Sequence, residues 1–73
     1  MTHAEKVQAI KSLLANTEDQ EVMVSINGVD FDYIGYDADS DTAFLYSQDH
    51  DIECEVDETL RDSVLEAILE YIG

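Results

Sequence analysis

The chain has 73 residues, of which 18 are Asp or Glu and only three are Lys or Arg, for a formal charge of -15 at neutral pH. That length allows one domain with a thin core, and the charge excludes direct binding to nucleic acid or to an anionic membrane, both of which such a surface repels. With 45% hydrophobic residues in periodic groups it is too apolar for a disordered acidic tail, no apolar run approaches the roughly 18 residues of a membrane span, and the lone Cys54 excludes an internal disulfide framework.

Residues 1–73 therefore read as a single acidic domain, expected to be soluble and cytoplasmic, with no signal-peptide pattern at its start. The first helix is predicted to begin near Thr2, where Thr2 and Glu5 have the spacing of a capping box. Val7, Ile10, Leu13 and Leu14 give it an apolar stripe, and it should end around Asn16. Glu21 to Asn27 alternates like a strand, and Asn27-Gly28 is a strong two-residue hairpin signal. Such a turn pairs Ile26 with Val29, Val24 with Phe31 and Val22 with Tyr33. Thr42 to Ser47 and Ile52 to Val56 are predicted as the third and fourth strands, joined by loops of ordinary hairpin length at Asp37–Asp41 and Gln48–Asp51. A last helix should start near Asp57, with Asp57 as N-cap and Leu60, Val64, Leu65, Ala67, Ile68, Leu69 and Ile72 as its apolar stripe.

The predicted architecture is thus α+β: a four-stranded antiparallel β-meander with the N-terminal and C-terminal helices packed on one face, αββββα. Strict alternation assigns Val22, Val24, Ile26, Val29, Phe31, Tyr33, Ala43, Leu45, Ile52, Cys54 and Val56 to the covered face. The opposite face receives Met23, Asp30, Asp32, Ile34, Tyr36, Phe44, Tyr46, Glu53 and Glu55. A bulge at Gly35 would invert this assignment for the later strands.

Chemistry-bearing patterns are few. Asp37-Ala38-Asp39-Ser40-Asp41 has the carboxylate spacing that opens an EF-hand loop, but Thr42 and Gln48 replace the glycine and the bidentate glutamate that such a loop needs. His3, His50 and Cys54 are too few for a structural zinc site, so no metal and no cofactor are expected. The chain has no phosphate-cradling glycine loop, nucleophile elbow or His-Glu-x-x-His motif, and an enzyme is not expected.

What remains is an interaction surface. Between Lys11 and Arg61, forty-nine residues hold fourteen carboxylates and no Lys or Arg. Aromatic rings among carboxylates combine buried area with electrostatic steering. Acids alternating along a strand, as in Glu53, Glu55 and Asp57, stand about 6.7 Å apart, a spacing on the scale of a phosphate row. In size, charge and inferred architecture the whole chain resembles the small phage-encoded inhibitors that imitate nucleic acid, the anti-CRISPR and anti-restriction proteins. The resemblance implies an inhibitor that occupies the basic channel of a DNA- or RNA-handling protein. On that expectation Asp30, Asp32, Glu53, Glu55, Asp57 and Glu58 engage Lys and Arg of the partner, and Tyr36, Phe44 and Tyr46 anchor. The competing expectations are a small accessory or antitoxin-like module without mimicry, a homodimer formed through the aromatic face, and an acidic surface adapted to high salt.

Overall fold

The computed structural model describes residues 2–73. In chain order it contains α1 (His3–Leu14), β1 (Gln20–Ile26), β2 (Val29–Asp37), β3 (Thr42–Ser47), β4 (Ile52–Val56) and α2 (Asp62–Ile72). The strands lie in the order β1-β2-β3-β4, each antiparallel to its neighbour, so the αββββα meander is as expected.

The capping box forms. The Thr2 hydroxyl accepts the Glu5 N–H at 3.2 Å, and the Glu5 carboxylate accepts the Thr2 N–H at 3.0 Å. Val7, Ile10 and Leu14 of α1 and Leu65 and Ile68 of α2 meet Val22, Val24, Phe31, Ile34, Ala43, Leu45 and Val56 in one core. Helix α1 lies over β2 and β3, while α2 lies over β1 and alongside α1, so both helices cover the same face.

Asn27 and Gly28 adopt φ values of 52° and 82°, the left-handed pair of a type I′ turn, whose twist suits the flanking strands. The two later hairpins share a different device. Asp41 and Asp51 each close a four-residue loop at φ 52°, a conformation that Asp tolerates better than most side chains. Each accepts a hydrogen bond from the tyrosine five residues earlier: Tyr36 to Asp41 at 2.6 Å and Tyr46 to Asp51 at 2.7 Å.

Two expectations are corrected. Val24 pairs with Phe31 and Ile26 with Val29, but Tyr33 sits opposite Glu21, not Val22, because the β1–β2 register shifts between Glu21 and Val24. Over that stretch β1 uses one residue more than β2, so β1 keeps its alternation and β2 changes face between Phe31 and Ile34. Ile34 is consequently fully buried beside Leu45, and Tyr36, opposite Ala43, packs against the core. Neither belongs to the uncovered face. Tyr33 moves the other way, while β3 and β4 keep the predicted orientation.

The second correction concerns α2, which begins at Asp62 behind the extended residue Arg61. Asp57 caps no helix. Its carboxylate accepts the Thr59 N–H at 2.9 Å, and the Leu60 N–H closes the turn onto the Asp57 carbonyl. The connection is needed because α2 packs on β1, three strand spacings, or roughly 14 Å, from β4.

Candidate functional site

On the face without helices, the strand registers align side chains into two rows across the sheet. One row runs Glu21, Tyr33, Tyr46, Glu53. The other runs Gly35, Phe44, Glu55, and Asp19, one residue before β1, extends it by reaching over Gly35. A Cβ on Gly35 would lie 2.7 Å from an oxygen of Asp19, closer than any side chain can be, so glycine makes room for that carboxylate. Each row has acid at both ends, with Tyr33 and Tyr46 between them in the first and Phe44 in the second.

Between the rows lies a shallow depression of about 400 Å³ lined by Asp19, Tyr33, Gly35, Phe44, Tyr46, Gln48 and Glu53. The three rings are half-buried and the three carboxylate-bearing edge residues Asp19, Glu21 and Glu53 are exposed. The hydrogen bond to Asp51 orients Tyr46 and, with the nearby charges of Asp51, Glu53 and Asp32, raises its phenol above the usual 10.0. The ring is therefore neutral and held at one end.

The sequence-predicted site residues divide. Phe44, Tyr46, Glu53 and Glu55 share this face. Asp30 is exposed opposite Ser25, whose hydroxyl donates to its carboxylate near the hairpin turn. Asp32 is half-buried, within electrostatic reach of Tyr46. Asp57 and Glu58 line a separate groove with Gln8 and Lys11 of α1, at the margin of the sheet. Hydrogen bonds from Thr59 also hold the Asp57 carboxyl below its ordinary 3.8. Tyr36 lies on the helix side. Four residues of the depression escaped sequence reasoning: Asp19, Tyr33, Gly35 and Gln48. The signal was present in Phe31-Asp32-Tyr33-Ile34, where large apolar groups occupy both parities of one strand, as a change of face requires.

Charge is sorted between the two layers. Lys6 and Lys11 belong to α1, and Arg61 precedes α2 beside Ile26, Cys54 and Leu60; no Lys or Arg reaches the open face. Lys6, its side chain only 8% exposed, binds Asp62 and, at 3.0 Å, Glu66. Lys11 approaches Asp41 at 3.8 Å. The carboxylates of the open face have no such neighbours among the described residues.

No other chemistry converges. Among the described residues no three His, Cys, Asp or Glu side chains are arranged to hold a metal ion. The Cys54 thiol is half-buried, and burial together with the charges of Asp57 and Glu55 pushes it up from 9.0, which disfavours the nucleophilic thiolate. Among the described residues no helix is long and apolar enough to cross a membrane. Compared with protein-family models, with curated proteins and with solved structures, the chain finds no match.

Proposed function

We propose that this protein is a non-enzymatic inhibitor that imitates nucleic acid and occupies the basic channel of a DNA- or RNA-handling protein in the cytoplasm. One observation carries the reading: carboxylates flank an open aromatic furrow on a sheet face that no Lys or Arg shares. Glu21 on one edge and Glu53 on the other stand three strand spacings, roughly 14 Å, apart, and Asp19 reaches inward over Gly35 between them. That width is on the scale of the ~12 Å major groove between phosphate rows of B-DNA. A cleft built of Lys and Arg to neutralise phosphates finds comparable charge here, and the rings add area that excludes water from the contact.

The same carboxylates argue against a homodimer through this face, since two copies would bring like charges together. An accessory or antitoxin-like module needs no such groove-like arrangement.

Competition tests the reading. Proteins retained on the immobilised chain at low salt are challenged with duplex DNA or with RNA. Nucleic acid should displace them, binding should weaken at least about tenfold between roughly 50 and 200 mM salt, and Glu53→Gln with Glu55→Gln should abolish retention. A partner that binds nucleic acid and this chain simultaneously removes the mimicry and leaves only an acidic binding module.

A further inference from the structure

We propose that the depression between the two rows is a seat for the guanidinium group of a single arginine side chain on the partner. The inference rests on the acidic face being a protein-binding surface, and it names the chemical group that the centre of that surface selects.

The lining consists of Tyr33, Phe44 and Tyr46, with Gly35, the Gln48 amide and the carboxylates of Asp19 and Glu53. Aromatic faces attract a cation through the ring quadrupole, and more strongly where water is partly excluded. A guanidinium is planar and weakly hydrated. It stacks on a ring while its edge donates several N–H bonds to carboxylates beside it. An ammonium is compact, strongly hydrated and has no flat surface to stack, so walls made of rings offer it less.

The seat is built in advance of binding. Tyr46 is tethered at its hydroxyl by Asp51 at 2.7 Å, and the absence of a side chain at residue 35 leaves room for the Asp19 carboxylate over the strand. Asp19 and Glu53 reach the depression from opposite edges of the sheet, so a cation inside has an acceptor on either side. Pre-organised groups lose less freedom when the partner arrives. Among the described residues no Lys or Arg enters, since Lys6 and Lys11 are engaged with Asp62, Glu66 and Asp41 and Arg61 lies beside Ile26, Cys54 and Leu60.

The test compares short oligoarginine and oligolysine peptides of equal length and charge, titrated into the isotopically labelled full chain at one low ionic strength. Oligoarginine should bind about tenfold more tightly, the scale of one added cation–π contact. Its shifts should centre on the Gly35 amide and on the rings of Tyr33, Phe44 and Tyr46. Asp19→Asn and Tyr33→Leu should each bring oligoarginine to the oligolysine affinity; unchanged circular dichroism identifies the variants that remain folded. Equal affinities, with shifts spread over the acidic loops, would overturn the seat while leaving the acidic binding surface intact. No binding of either peptide would overturn both. Shifts that instead follow protein concentration, with formation of a dimer, would assign the face to a second copy and overturn the seat.

Discussion

Lys6 shows how little positive charge this fold needs when it is well placed. Its stem is covered by the two helices while its ammonium reaches Asp62 and Glu66, and the hydrogen bond to Asp62 lifts it above its ordinary 10.5 despite the cost of burial. Asp62 is correspondingly held below 3.8. A carboxyl with a lowered folded pKa stabilises the native state fully above its unfolded value and ceases to do so as pH falls through the folded one. An amine with a raised pKa stabilises fully below 10.5 and loses its contribution as pH rises through the higher folded value. The linkage is thus complete between about pH 4 and pH 10. Asp62→Asn should lower the urea midpoint at pH 7, and the gap from wild type should close as the pH is taken below 3.8. A gap that persisted unchanged into strong acid would mean that the pair contributes nothing through charge.

At the scale of elements, β2 decides which residues become core and which become surface. Were its alternation unbroken, Ile34 would be a surface residue and its truncation would matter little. With the face changed after Phe31, Ile34→Ala removes buried methyl groups from beside Leu45 and should cost about 2–5 kcal/mol, measured by denaturant unfolding. Met23→Ala, at 77% exposed on the edge strand, should change stability by less than about 0.5 kcal/mol. Equal effects at the two sites would restore strict alternation. The hairpin turn, both helices and all four strands were legible because their signals lie within a few residues of one another. The delayed start of α2 was not. Asp57 is a good cap by type, yet it precedes a stretch that must cross the sheet before a helix can pack on β1, and only the position of β1 shows that distance.

For the whole molecule the important asymmetry is that Lys and Arg gather in the helix layer while the open sheet face has none. Self-repulsion in a chain of charge -15 opposes the compact state and is screened by salt within a Debye length of about 10 Å at 0.1 M. Added sodium chloride should therefore raise the melting temperature. Glu53→Gln with Glu55→Gln should raise it at low salt and reduce the further gain from salt. Identical melting midpoints in low and in molar salt would show that the carboxylates do not repel appreciably in the folded state.

Length, charge, helical periodicity and turn chemistry were determined by the sequence alone, and with them the αββββα topology, the orientation of β3 and β4, and the placing of Phe44, Tyr46, Glu53 and Glu55 on an acidic face. Tertiary structure decided that Tyr33 joins them, that Ile34 and Tyr36 leave, and that Asp19 folds over Gly35. The reason is physical: caps and turns are satisfied by neighbours along the chain, whereas the side of a sheet that a residue occupies depends on the strand beside it. One extra residue in β1 is enough to exchange the core and surface roles of Tyr33 and Ile34 in its partner.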